Sequence, residues 1–279
     1  MSSASGAGDL AFLALVMGGG VVAGGLGALL GIGGGILLVP FLTLALGVPI
    51  RQALAASLVT VIATSTAISS GSSRHLINER LGLVLEVATV AGSLVGGITA
   101  AALSPQTLHL IFAVCTFAIA VVMLTRLDTR NVILDPSVDP GVFGGRFFEE
   151  ETGRDVLYRV KRLPLALAGS FVAGNLSTLL GIGGGIMKVP LLNAFCGVPI
   201  RPAAATSAFM IGVTAMSGAV IYLGRGDLVP MMAAAAVLGV RMGSGAGLRL
   251  GATVKVRHIK QLMAAILVIV SLLMLTRAR

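Results

Sequence analysis

The sequence predicts an all-α polytopic membrane protein with about ten transmembrane segments. They form two inverted five-segment repeats, with a short broken helix at each Gly-rich motif. Three observations carry this prediction. First, hydrophobic residues make up 56% of the 279 and charged residues 11%, with a mean hydropathy of +1.00, which leaves too little polar surface to cover a water-soluble globule. Second, 38 glycines and no Trp suit helices that approach closely through small residues and rely on Arg and Lys at the interfaces. Third, GIGGGILLVPFLTLALGVPIRQALAAS at Gly31–Ser57 returns 150 residues later as GIGGGIMKVPLLNAFCGVPIRPAAATS at Gly181–Ser207. Glycine and proline breaks at matching positions of duplicated apolar halves expose backbone polar groups at bilayer depth.

Apolar runs fall near 10–30, 32–47, 52–73, 81–103 and 107–125, and again near 163–180, 182–197, 202–223, 228–250 and 257–276. Most have about the 20 residues a helix needs to span the hydrocarbon core; the second run of each set is shorter and begins in glycines. No Lys or Arg precedes the run at Leu10, so it reads as the first transmembrane helix and not as a cleavable signal. Beyond the signature, a three-residue gap aligns Ser70 and Gly71 with Ser217 and Gly218, and Gly92 and Gly96 with Gly239 and Gly243. The chain divides into a first repeat at 1–125, a linker at 126–162 and a second repeat at 163–279.

Five crossings per repeat invert the two copies, whereas re-entrant short segments would leave four crossings and parallel copies. If every segment crosses, Arg74, Arg80, the linker and the cluster Arg249, Lys255, Arg257 and Lys260 share one side. Four crossings would put that cluster outside, against the positive-inside tendency. The expectation is therefore a multi-pass inner-membrane protein with both termini outside. The linker holds seven basic residues and seven of the eleven acidic ones and reads as a cytoplasmic solvated connector, with a docking role around Glu149, Glu150 and Glu151 as the lesser reading.

The formal charge of +9 sits in short loops and forms no aromatic-interleaved basic face, so nucleic acid is not an expected partner. Cys115 and Cys196 lie inside apolar runs and offer neither a disulfide framework nor metal-ligand spacing. His75, His109 and His258 likewise have no such spacing, and no Ser/His/Asp or paired-carboxylate arrangement is present. The sequence gives no support for a metal, a cofactor or enzyme catalysis.

GIGGG lacks the GK[ST] ending of a phosphate loop. In a membrane, Gly33, Gly34 and Gly35, and Gly183, Gly184 and Gly185, suit a helix start whose N–H groups face an anion; close helix packing is the equal alternative. Ser57, Thr60 and Thr64 recur at helical spacing after the first signature, as do Thr206, Ser207, Thr214 and Ser217 after the second. Such hydroxyls either replace part of an anion's hydration shell or bond their own helix and its neighbours. Charges at membrane depth cost roughly 2.5–3.5 kcal/mol or more and usually face a cavity or a partner. Glu86, Lys188 and Arg241 qualify. Leu38 and Leu94 hold the positions matching the two cations, which either meet a substrate or snorkel and bind helix-end carbonyls. Glu86, near the inner end of its helix, is a candidate proton relay, with a salt bridge or simple interfacial placement as the more ordinary role. Arg51 and Arg201 either attract anions to the mouths or mark the membrane edge.

The residues GIGGGILLVP, GVPIRQALAAS, GIGGGIMKVP, GVPIRPAAATS and LGVRMG resemble those of the TauE/SafE family of membrane permeases, over nearly the whole chain. The resemblance implies export of sulfite or a small organosulfonate such as sulfoacetate. From the residues themselves the expected site is a midplane anion site formed by the two glycine clusters, Ser57, Thr60, Thr206, Ser207, Lys188 and Arg241, exposed alternately by rocking of one repeat against the other. Membrane lipid and the anion are the expected partners, and a homo-oligomer is left open. The rival readings are an anion channel, an intramembrane enzyme and a structural subunit of a larger complex.

Overall fold

The computed structural model describes residues 3–30, 34–69, 75–125, 139–149, 154–251 and 256–277. Among them the first half comprises α1 (Ser3–Leu30), α2 (Gly35–Pro40), α3 (Ile50–Ser69), α4 (Glu79–Ala102) and α5 (Pro105–Thr125). A hairpin of β1 (Gly145–Glu149) and β2 (Arg154–Tyr158) follows. The second half comprises α6 (Leu163–Leu180), α7 (Gly185–Pro190), α8 (Ile200–Gly224), α9 (Pro230–Gly251) and α10 (Val256–Arg277). The chain is a helical membrane protein. Among the described residues Gly8–Ala28, α4, α6 and α8 are long and apolar enough to cross a bilayer; Gly35–Ala45, Ile50–Thr66, Pro105–Val121 and Ala264–Arg277 are apolar but shorter. Leu10, Val87, Ile98, Val114, Met216 and Met242 stand exposed on the outer surface, as lipid-facing side chains do.

Both short helices break in the same way. Proline contributes no N–H to the ladder, and after Pro40 and Pro190 the helix widens into single π turns at Phe41–Ala45 and Leu191–Phe195. Each break is then closed by the same hydrogen bond, Val48 N–H to Leu42 O and Val198 N–H to Leu192 O, both 3.0 Å. The turn between passes through Gly47 at φ +66° and Gly197 at φ +74°, a left-handed conformation that glycine adopts without a Cβ penalty.

The two halves pack through pairs that map onto themselves when the halves are exchanged. α1 lies along α9 as α6 lies along α4; α3 crosses α8; α5 lies on α10; and the contact of α4 with α8 is matched by that of α9 with α3. Glycines set the two longest seams. A Cβ on Gly92 would lie 1.9 Å from Phe171 O and one on Gly96 2.3 Å from Asn175 O, while Gly243 and Gly247 meet Val21 O and Gly25 O at 1.9 and 2.3 Å. Residue numbers rise together along both seams, so α1 runs parallel to α9 and α4 to α6. Phe171 and Asn175 match Val21 and Gly25 in the repeat, so Gly92 and Gly96 correspond to Gly243 and Gly247. That is one helical turn later than the sequence alignment placed them. The position matching Arg241 is accordingly Val90, not Leu94.

In place of a plain solvated connector, the described part of the linker forms an antiparallel hairpin with Phe147 opposite Val156 and Gly145 opposite Tyr158. Phe147, Val156 and Tyr158 are buried against Leu81, Leu85, Ala166, Leu192, Val198 and Met210. Asn78 ties this to α4: its amide donates to Phe143 O (2.8 Å) and to the Tyr158 hydroxyl (3.1 Å), and its Oδ1 caps the Leu81 N–H. Burial holds the Tyr158 phenol above its ordinary pKa, with the Asn78 bond opposing, so it stays neutral. Residues 126–138 and 150–153, including Glu150 and Glu151, lie outside the described residues.

A side chain at a seam glycine has to push backbone away, at a cost of about 1–3 kcal/mol. Gly243→Val is therefore expected to lower the melting temperature of the purified protein in detergent. Gly245→Ala, where an added Cβ meets nothing within 4 Å, leaves it unchanged or slightly higher.

Candidate functional site

The two broken helices meet in the middle of the molecule. The Ser57 hydroxyl on α3 lies 2.6 Å from Gly181 O and 3.1 Å from Gly35 O, linking the glycine turn of one half to that of the other. Any Cβ at Gly35 would lie 2.7 Å from Gly181 O and 2.7 Å from Ser57 Oγ, so only glycine allows this approach. Gly183 and Gly184 take φ of +73° and +74°. Gly34, Gly35 and Gly181–Gly185 are all buried, while Gly33 lies outside the described residues.

Against the second turn stand two hydroxyls with no hydrogen-bond partner among the described residues, Ser177 of α6 and Ser207 of α8, 0% and 1% exposed. The Cβ direction of Gly184 points to Ser177 (3.5 Å to its Oγ) and that of Gly185 to Ser207 (3.7 Å). Buried hydroxyls without partners cost roughly 1–3 kcal/mol each, and here they occupy the same few ångströms as the glycine turn.

One turn into α7, Lys188 is 1% exposed. Its ammonium donates to the Thr214 hydroxyl at 2.9 Å and lies 3.8 Å from Glu86 Oε2. The Thr214 hydroxyl is 2.8 Å from Glu86 Oε1, so α4, α7 and α8 converge on one buried ion pair bridged by a hydroxyl. Glu86 Oε2 accepts no hydrogen bond from the described residues. Polar groups continue beyond it: Ser93 and Ser217 both reach Thr214 O (3.0 and 2.7 Å) and each other (2.7 Å), and Ser93 reaches the Thr178 hydroxyl (2.6 Å).

The remaining sequence candidates are placed elsewhere. Arg241 is exposed on the outside of α9, away from the buried pair. Thr60 bonds its own helix at Ser57 O (2.7 Å). Thr206 accepts from the Asn78 N–H (2.9 Å) and so anchors the start of α4, although its neighbour Ser207 faces the glycines. Arg51 clamps the end of α4 through Ala101 O and Leu103 O (3.2 and 2.8 Å). Glu86 is not an interfacial carboxylate: it is buried, and it is the partner of Lys188. A search guided by the repeat passed over Ser177, Thr178 and Ser93. The first two match Gly27 and Ala28 in the first half, and a position polar in one copy only gives no repeat signal.

Two cavities lie near the opposite ends of α4. One of about 310 Å³ lies at the hairpin end between His75, Asn78, Glu79, Arg80, Arg146 and Tyr158. The other, about 400 Å³, lies at the far end between Arg51, Gln52, His109, Asp227 and Arg277.

A polytopic helical protein whose paired, interrupted helices meet at a buried polar centre belongs to the class of membrane transporters. The chain belongs to the sulfite exporter TauE/SafE family, whose model matches residues 16–274. It is 26% identical over 259 residues to the "probable membrane transporter protein YunE" of Bacillus subtilis, covering 90% of this chain and 93% of that one. It is 25% identical over 277 residues to the "probable membrane transporter protein MJ0441" of Methanocaldococcus jannaschii, covering 92% of each. No solved structure matches the chain significantly.

Removing one member of a buried ion pair strands the other, at about 3–5 kcal/mol, whereas an apolar replacement of both is often neutral. Lys188→Met should therefore unfold at clearly lower temperature than the wild type, and Glu86→Leu with Lys188→Met should recover most of the loss, as a thermal double-mutant cycle will register.

Proposed function

We propose that this protein exports a small sulfur-containing oxyanion, sulfite or an organosulfonate such as sulfoacetate, across the inner membrane by alternating access at a midplane site. The single observation that carries this reading is the pair of unpartnered, fully buried hydroxyls of Ser177 and Ser207 beside the Gly183–Gly185 turn, one helical turn from Lys188. Hydroxyl donors and backbone N–H groups around a buried cation can replace the water shell of an oxyanion without adding a net charge that would hold it. Ser57 acts indirectly in this scheme, by fixing the distance between the two turns.

The two repeats are inverted with respect to one another, which the parallel course of α1 with α9 and of α4 with α6 supports when every segment crosses. The hairpin end then faces the cytoplasm, in line with the basic residues of the linker and of 249–260. With both glycine turns buried, the arrangement corresponds to an occluded stage of a rocking cycle. Outward movement of an uncoupled monovalent anion gains roughly 2.3 kcal/mol per 100 mV of inside-negative potential.

Purified protein in liposomes provides the test. Uptake of labelled sulfite, sulfoacetate or thiosulfate is expected to saturate and to show counterflow, which a channel does not. Ser177→Ala and Ser207→Ala are each expected to raise KM about tenfold, the equivalent of one hydrogen bond of about 1.4 kcal/mol. Non-saturable uptake, or serine variants indistinguishable from wild type, would overturn the proposal.

A further inference from the structure

Within each half the same three helix positions come together, and the two halves fill them differently. In the second half they hold Lys188 and Thr214 with Glu86 of α4 across the seam. In the first half the corresponding residues are Leu38, Thr64 and Val237 of α9. Leu38 is fully buried, and Thr64 returns its hydroxyl to its own helix at Thr60 O and Val61 O. The fold thus closes one copy of this junction with no charge at all. Packing does not demand the ion pair, and a buried pair is seldom worth more to stability than an apolar replacement of the same volume.

The geometry of the pair is also that of a contact made to be broken. At 3.8 Å the ammonium and Glu86 Oε2 are in Coulombic contact without a hydrogen bond, and Oε2 is left with no donor. The hydroxyl of Thr214 serves both partners, and it can stay bonded to either when the other changes state. An anion that takes Lys188 as its counter-charge leaves Glu86 as an uncompensated carboxylate in a buried site, a cost far above that of protonating it.

We propose that Glu86 is a proton-carrying coupling residue, so that an anion binds Lys188 together with one proton on the Glu86 carboxylate and the two move as a unit. This rests on the transport reading above and adds its coupling ion. The proton comes from water at the hairpin end, where the cavity beside Glu79 ends about 10 Å along α4 from Glu86, seven residues at 1.5 Å each. Binding forms the O–H bond at Oε2, leaves Lys188 charged and gives its positive charge to the anion. Release of the anion breaks the O–H bond, and the carboxylate returns to Lys188. Among the described residues the titratable groups near Glu86 are few, and the hairpin packed on Leu81 and Leu85 adds Tyr158. α7 contributes Lys188 and α8 the Thr214 hydroxyl, with Arg201 and Tyr222 near the two ends of α8. α6 carries no titratable side chain, and on α4 itself Glu79 and Arg80 lie toward the hairpin end.

Liposomes loaded with a pH-sensitive dye test this with sulfoacetate and thiosulfate, both fully ionised near neutral pH. The expected result for the wild type is lumenal acidification at about one proton per anion and uptake accelerated by an inward proton gradient. Glu86→Asp keeps the coupling, whereas Glu86→Gln, whatever its rate, moves anion without protons. Saturable anion uptake with no proton movement in the wild type overturns the coupling and leaves the transport reading standing; absence of saturable uptake removes both. A second measurement does not require turnover: infrared difference spectra on adding sulfoacetate to protein in detergent should show a new carboxylic-acid carbonyl band. Persistence of that band in Glu86→Gln, or its absence in the wild type, removes Glu86 from the role.

Discussion

The structure depends on how closely two glycine turns are allowed to approach. Ser57 can reach Gly35 O and Gly181 O with one hydroxyl only because neither turn carries a side chain there, and only because each preceding helix stops in the hydrophobic interior. Proline fixes the second half of the same device: it ends the short helix after six residues and the π turn carries the chain to the membrane edge. A break in a transmembrane helix leaves carbonyls and N–H groups that lipid cannot satisfy. Here Ser57 of the first half supplies a donor to Gly181 O of the second as well as to Gly35 O of its own half, so one hydroxyl serves both breaks.

Around that contact the two halves are alike in shape and unlike in chemistry. Glycine seams join α1 to α9 and α4 to α6 with nearly identical close distances, yet the hydroxyls of Ser93, Thr178 and Ser217 and the Glu86–Lys188 pair gather on one side of the pseudo-symmetry. Duplication supplies a scaffold with two equivalent junctions. One is apolar around Leu38 and the other polar around Lys188. A site placed off the symmetry axis in this way presents different surroundings to a solute at the two ends of its path.

Much of this was legible in the sequence. The duplicated GIGGG and GVPI segments located both breaks to within a few residues, and hydropathy placed the helices, because glycine, proline and apolar runs act locally and leave the same mark wherever they stand. Lys188 and Glu86 were marked by the cost of charge at depth, but their pairing was not. They lie 102 positions apart, and only the α4–α8 contact brings them together. The repeat led the reading astray by one turn at Gly92 and Gly96, since a run of regularly spaced glycines fits several registers equally well. Arg241 stood out for the same reason as Lys188, and nothing local tells which way a helix turns its face. The hairpin was hidden because a window rich in charge averages away the alternation of Phe147, Val156 and Tyr158.

That hairpin introduces an asymmetry of mechanical load. By burying aromatic and aliphatic side chains against Leu192 and Val198, just past the second break, and against Leu81 and Leu85 on α4, it braces the half that holds the charges. The first break has no such brace among the described residues. Displacing α7 relative to α4 would therefore shear or lift a two-stranded clamp, a resistance that no described element offers α2.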